Sequence, residues 1–191
     1  VSLVDISERP IERLTKQGIV ANGTEYPVDA IVCATGFAAM TGSFDNIRIT
    51  GRNGLALTEK WRAGPRTYLG LSTAGFPNMF MIMGPHAALG NNPRSIEYNV
   101  EWVRDLIGHM VDNDRSVAEA RTESVAEWRA FVLEKAKGSL VSEVDSWMTG
   151  VNMNVEGKQT RTVVRYSGTA PEYRAKCDAV AATGYKGLRF S

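Results

Sequence analysis

The chain lacks most of the patterns by which a sequence declares its chemistry. Among its 18 glycines no two are spaced Gly-x-Gly, so the fingerprint that cradles a dinucleotide pyrophosphate is absent. There are two cysteines, Cys33 and Cys177, and two histidines, His86 and His109. No Cys-x-x-Cys, no His-Glu-x-x-His and no carboxylate cluster at metal-ligand spacing occurs, which removes the common zinc and redox motifs. Two isolated cysteines read as reduced thiols of a cytoplasmic protein. No apolar run approaches the ~20 residues of a membrane span. A formal charge of +1 gives no electrostatic case for nucleic acid or an anionic membrane. No signal peptide, internal repeat or low-complexity tract is seen. The chain opens at Val1 directly on strand-like residues, the expectation for a fragment whose N-terminal part is missing.

What is present is α/β text. Met79-Phe80-Met81-Ile82-Met83 is an unbroken apolar run, too short for a globular helix, and reads as a strand buried on both faces. Gly84-Pro85 stops it. Asn92 then reads as an N-cap and Pro93 as the first helical position. Ile96, Val100, Val103, Ile107 and Met110 recur at helical spacing, predicting a helix over about 93–112 with that face inward. Strand, small-residue loop and helix N-terminus is the arrangement in which α/β sheets bind ligands.

Ser2–Ile6 and Val28–Cys33 read as further strands. Gly18–Ala21, Asn22-Gly23 and Thr24–Tyr26 read as a hairpin, because both turn residues tolerate positive φ. Asn22-Gly23-Thr24 also matches a glycosylation acceptor, but without a secretory signal the turn reading prevails. The stretch from Ala38 to Pro65 reads as loop, and Thr67–Ser72 as a possible strand position. Gly70-Leu71-Ser72-Thr73-Ala74 nearly matches a nucleophile elbow, yet its last position is alanine and neither histidine stands as a base. Asp112-Asn113-Asp114 breaks the chain. Val125, Trp128, Val132 and Ala136 mark a second helix ended by Gly138. Thr162–Tyr166 is a strand candidate. Pro171 starts a last helix with Tyr173, Cys177 and Val180 on one face, closed by Gly184.

Ala34-Thr35-Gly36-Phe37 after an apolar stretch resembles a signature of flavin monooxygenases with two dinucleotide-binding domains. Asn53-Gly54-Leu55, Trp61, Gly64-Pro65, Tyr68-Leu69-Gly70, Phe76–Phe80, Gly84-Pro85, Ser95-Ile96-Glu97 and Val100-Glu101-Trp102 are similar to the Baeyer–Villiger monooxygenases, the cyclohexanone monooxygenase group in particular. Ser146–Asn152 and Asn154–Thr160 resemble the variety acting on large cyclic or steroid ketones.

The resemblance implies the C-terminal portion of a Rossmann-like FAD/NADPH flavoprotein: residues 1–36 as the last strands of the NADPH domain, and 37–191 as the return half of the FAD domain plus a mixed helix/strand extension with a control loop at about 141–160. It implies FAD and NADPH as cofactors, O2 as co-substrate, and a ketone converted to an ester or lactone through a C4a-peroxyflavin. The two Gly-x-Gly-x-x-Gly motifs and the family's catalytic arginine belong upstream of Val1, so no residue here is assigned a catalytic role. Carried over by position, Ala34, Thr35, Gly36, Asn91, Asn92 and Trp147 lie at the cofactors, and Ala88, Leu89, Gly90 and Asn91 line the ketone pocket, with Gly90 leaving room for bulk. Trp61, Trp102 and Trp128 read as packing residues. Arg94, unfavourable to the helix dipole, is either solvated or faces phosphate or substrate; Lys158 is either a loop lysine or a phosphate contact. The alternatives are a sister flavoprotein oxidising amines or sulfides, and a non-catalytic interaction module.

Overall fold

The structure, a computed structural model, describes residues 1–7, 9–34, 40–88, 90–139, 143–152 and 159–191. It divides into two compact units, Val1–Thr35 and Gly36–Ser191.

The first unit is a three-stranded antiparallel sheet, β1 (Ile11–Leu14), β2 (Gly18–Ala21) and β3 (Thr24–Pro27), in the order β1-β2-β3. The hairpin read from Asn22-Gly23 is there. Both turn residues have positive φ, 54° and 71°, and Ala21 faces Thr24 across the turn. This is the turn whose twist matches antiparallel strands. Val20 and Ala21 are its buried side chains. Two expectations fail. Ser2–Ile6 and Val28–Cys33 are not strands; Val28, Ile31 and Val32 are exposed, Val32 at 87%. An apolar run becomes a buried parallel strand only where neighbouring strands flank it, and among the described residues no strand forms a ladder with either segment. The charged segment Ile11–Leu14, not read as a strand, is one because β2 offers it an edge.

The second unit is mainly helical. Short helices α1 (Gly42–Asp45) and α2 (Leu57–Lys60) precede α3 (Asn92–Asp112), α4 (Thr122–Ala136) and α5 (Ala170–Ala182). Strands β4 (Ala118–Ala120) and β5 (Leu188–Phe190) pair antiparallel. The main core gathers Trp102, Leu106 and Met110 of α3, Val125, Trp128 and Val132 of α4, and Tyr173 and Cys177 of α5. The indole N–H of Trp102 donates to the Cys177 carbonyl at 3.0 Å. A smaller core joins Leu57, Trp61, Phe76 and Met81. The three tryptophans read as packing residues, Trp61, Trp102 and Trp128, are all buried. Both cysteines are free, Cys33 exposed and Cys177 buried.

The helices begin and end close to where the sequence puts them, with instructive shifts. The N-cap of α3 is Asn91, not Asn92: its Oδ1 accepts the Arg94 N–H at 3.2 Å. Pro93 then takes the second helical position, where a missing N–H is equally harmless. The inward face of α3 is Asn99, Trp102, Val103, Leu106 and Met110, which keeps Val103 and Met110 of the expected stripe and leaves its other three residues outside. Ile96, Val100 and Ile107 are exposed at 43–48%, and Val111 at 72%. The helix has two apolar stripes, and the one bearing the indole, with most area to bury, faces α5.

The three remaining strand expectations also fail. Met79–Met83 forms no ladder; Met81 alone of the run is buried, its N–H bonded to the Leu71 carbonyl. Thr67–Ser72 is a tight turn with Leu69 and Gly70 at positive φ, closed by a single Tyr68–Ser72 bridge. Thr162–Tyr166 is extended, with one parallel bridge from Tyr166 to Ala88. In each case the apolar pattern specified burial without a partner strand to convert burial into a sheet. Among the described residues no helix is long and apolar enough to cross a membrane.

Candidate functional site

The segment from Gly84 to Asn92 runs from the main core out to the N-terminus of α3. Its inner half is closely clamped. A Cβ added to Gly84 would lie 2.5 Å from the Gly70 carbonyl oxygen, and one on Gly70 would meet the Ala87 nitrogen at 2.5 Å; only glycine allows two backbones so near. The His86 N–H donates to the Val164 carbonyl (3.1 Å), the Ala87 N–H to Gly84 (3.0 Å), and the Tyr166 N–H to Ala87 (3.3 Å).

Side chains complete the clamp. His86 is 1% exposed. Its Nε2–H donates to the Val163 carbonyl at 2.8 Å, and its Nδ1 lies 3.1 Å from the Thr67 hydroxyl. Burial pushes its pKa down to about 4; the bond to Val163 opposes that and the charge of Arg129 adds to it. His86 is therefore a neutral structural histidine. With its ring nitrogens so engaged it offers no base to Ser72, which is itself buried; the elbow-like sequence carries no hydrolase chemistry. From α3, the Asn99 Oδ1 accepts the Met83 N–H at 3.1 Å while its Nδ2 donates to the Tyr173 hydroxyl at 3.3 Å. That hydroxyl donates in turn to the Leu69 carbonyl at 2.7 Å. Burial pushes the Tyr173 pKa well above the ordinary range, so it remains a donor.

The outer half is open. Gly90, Asn91 and Asn92 are exposed, and a Cβ on Gly90 would meet nothing within 4 Å. Ala88 is buried at the last clamped position. Arg94 is exposed too, its carbonyl approached by Arg174 Nη2 at 3.5 Å. Leu89, Thr35, Gly36 and Lys158 lie outside the described residues; Ala34, in the first unit, is exposed. Trp147 stands apart from this loop, on the 3₁₀ turn Trp147–Thr149, which Gly150 ends in the left-handed region. It is 41% exposed, so it is not a core residue. The turn is nonetheless tied to the loop: the Thr162 N–H donates to the Thr149 carbonyl at 2.8 Å, and the next two residues hold His86. Ala88, Gly90, Asn91 and Asn92 thus share one segment, and Trp147 reaches it through residues 162–164.

His86, Asn99 and Tyr173 were not singled out from the sequence as shaping this loop. A signal existed for Asn99, a polar residue in the buried stripe of Trp102, Val103 and Leu106, where an unpaired amide would be costly.

Relatives cover essentially all of this chain. A phenazine N-monooxygenase, PhzNO1 of Lysobacter antibioticus, is 42% identical over 189 residues, 98% of this chain and 34% of its own length. The crystal structure of cyclohexanone monooxygenase from Rhodococcus sp. Phi1 bound to NADP+ superposes with a TM-score of 0.89 at 38% identity, covering 98% of this chain and 35% of that one. Over nearly its whole length the chain is homologous to Baeyer–Villiger flavin monooxygenases. An NADP-bound steroid monooxygenase agrees, with a TM-score of 0.84 at 39% identity over 99% of this chain and 35% of that one. No family model matches. The chain spans about a third of the length of these relatives. Its fold class is therefore that of a two-dinucleotide-binding-domain flavoprotein, even though the described residues hold two small antiparallel sheets in place of a parallel one. A similar solved structure, of OTEMO, is a complex with FAD and NADP.

Proposed function

We propose that this chain is the C-terminal part of an FAD- and NADPH-dependent monooxygenase that inserts oxygen beside a ketone carbonyl, giving an ester or lactone. The observation that supports this most is agreement in sequence and fold with cyclohexanone monooxygenase over 98% of the chain. The exposed apolar stripe of Ile96, Val100, Ile107 and Val111 on α3 fits a protein whose remaining length covers it. Residues 1–36 belong on this reading to the NADPH-binding domain, and 37–191 to the FAD-binding domain with its C-terminal extension. A cytoplasmic location goes with it.

The residues present fit the two cofactors. The open N-terminus of α3 offers the positive end of a 21-residue helix, which favours an anionic edge of the flavin by ~0.3–1 kcal/mol. Asn91 caps that helix and, with Asn92, faces the isoalloxazine. Trp147 presents a broad half-exposed face for the nicotinamide or ribose. Ala34, Thr35 and Gly36 form the small-residue crossing between the cofactor domains. The bound cofactors supply the hydride and the activated oxygen; this chain's part is to hold them, shape the ketone pocket and exclude water. Ala88, Leu89, Gly90 and Asn91 line that pocket, and the open space at Gly90 suits a large apolar cyclic ketone, steroids included.

Gly90→Phe tests the pocket. A side chain there meets open space, so stability should change by less than ~0.5 kcal/mol, whereas kcat/KM for large ketones should fall at least about tenfold relative to small ones. Unchanged relative rates in the full-length flavoprotein would refute the assignment. Trp147→Ala should weaken NADP+ binding about tenfold, the ~1.4 kcal/mol of one lost aromatic face, with retained FAD as the control.

A second reading has its own support. The relative at 42% identity is named for N-oxidation of a phenazine, and heteroatom oxidation asks the same of this chain's loop and helix end. Offering the full-length flavoprotein a cyclic ketone and an aromatic N-heterocycle, with NADPH consumption and product mass as readouts, separates the two. Lactone formation sustains the first reading, an N-oxide the second, and neither with retained FAD rejects both.

A further inference from the structure

A cavity of about 250 Å³ lies between α4, the turn at Met148 and Thr149, and the extended stretch at 161–165. Three arginines line it, Arg129, Arg161 and Arg165, and no Asp or Glu among the described residues does. Arg161 is already paired, with Asp145. The other two are not. Arg129, half-buried on α4, has no ion pair or hydrogen bond with a described residue. Arg165 makes one contact, from Nη1 to the Met148 sulfur at 3.7 Å, and a thioether is a poor acceptor. Its Nε–H is fully buried with no partner among the described residues. A buried guanidinium N–H without an acceptor is a standing destabilisation.

We propose that this cavity is a binding site for a phosphate group, with the guanidiniums of Arg129 and Arg165 as its ligands and Arg161 at its rim. The planar fork of each arginine presents paired donors to oxyanions, and two uncompensated charges match one phosphate dianion better than a carboxylate or an apolar group. The volume exceeds what a phosphate alone needs, leaving room for the ester carbon of a larger molecule. His86, on the cavity wall, is neutral and spends its N–H on Val163, so the anion is held by the arginines. The site is separate from the exposed loop Gly90–Asn92 and the helix end it opens, and it does not depend on the flavin reading.

The test is calorimetric titration of the whole chain in a chloride-poor buffer, with inorganic phosphate in one arm and adenosine monophosphate in the other. Saturable binding should appear, and Arg165→Met and Arg129→Met should each weaken it about tenfold or more, with Arg165→Lys intermediate because it keeps charge but not the fork. Tighter binding of the monophosphate ester assigns the site to an ester, and equal or weaker binding to free phosphate. Because Arg165 contributes to packing, phenylglyoxal labelling of the unmodified chain gives a second readout: phosphate should protect Arg129 and Arg165 selectively in peptide mass maps. No binding in either arm, or binding without protection of these two arginines and unchanged in the folded variants, overturns the proposal.

Discussion

Replacing Glu119 by alanine is expected to destabilise the second unit by about 3 kcal/mol, a fall of roughly 6–12 °C in Tm for a chain of this size. Glu119 sits in β4 with its side chain 1% exposed. It accepts from Arg52 Nε at 2.6 Å, from Arg189 Nη2 at 2.6 Å, and from the Gly75 N–H at 2.8 Å. One carboxylate thus joins the turn at Arg52, the turn at Gly75 and the C-terminal strand. Burial alone would raise its pKa, but the bonds from Arg189, Arg52 and Gly75 outweigh that and hold it at about 2, below the ordinary 4.5. The shift alone corresponds to ~3 kcal/mol; both arginines are about half exposed, and water screening reduces their share to ~2 kcal/mol. The alanine variant adds the unsatisfied Gly75 N–H, at ~1 kcal/mol or more. The sign follows from a depressed folded pKa. The stabilisation is complete above pH 4.5 and disappears as pH falls through about 2. Urea unfolding of the variant and its parent at neutral pH checks the magnitude, and a loss under about 1 kcal/mol would show that the arginines stabilise nothing.

The second large effect belongs to His86 and occupies a different pH window. Its folded pKa is about 4 against an ordinary 6.5, so the unfolded chain binds the proton first. The stability it carries is complete above pH 6.5 and is lost progressively as pH falls to about 4, a change of ~3 kcal/mol for a residue this buried. Charging the ring would place a cation on the wall that Arg129 already shares, and would turn Nδ1 into a second donor facing the Thr67 hydroxyl. That hydroxyl could accept from it while donating to the Pro85 carbonyl, 2.8 Å away, so the cost of charging the ring is burial of the cation, with the Arg129 charge adding to it. His86→Gln should flatten the stability profile between pH 4.5 and 6.5 while leaving the steeper acid limb of Glu119 in place. An unchanged slope in that window would mean that His86 does not titrate with unfolding.

Residues that answer to their immediate neighbours were legible from the sequence. Asn22-Gly23 folded into the hairpin turn because positive φ is a property of the two residues themselves. Helix α4, with Val125, Trp128, Val132 and Ala136 buried, and α5, with Tyr173 and Cys177 buried, followed from periodicity, since a helix closes its own hydrogen bonds and needs from the fold only a surface to cover its stripe. The helix start beside the candidate site was legible as well: Asn91 and Asn92 stand at the N-terminus of α3, one residue from where the cap was read.

What sequence could not decide was everything that requires a distant partner. Met79–Met83 and Val28–Cys33 carry the composition of buried strands, yet a strand exists only where another strand accepts its hydrogen bonds. Which stripe of α3 turns inward depended on α5 meeting Trp102. No local pattern marks His86 as buried; the fold brings Thr67 and Val163 to its two nitrogens from opposite directions in the chain. Glu119 and the two orphaned arginines are the same lesson in charge. By itself the sequence determined the Asn22-Gly23 turn, the three long helices and the likeness to flavin monooxygenases, because those depend on local geometry and residue order. Only the tertiary structure decided which polar groups are satisfied in the interior and which are left facing a cavity, because that depends on what the folded chain sets beside them.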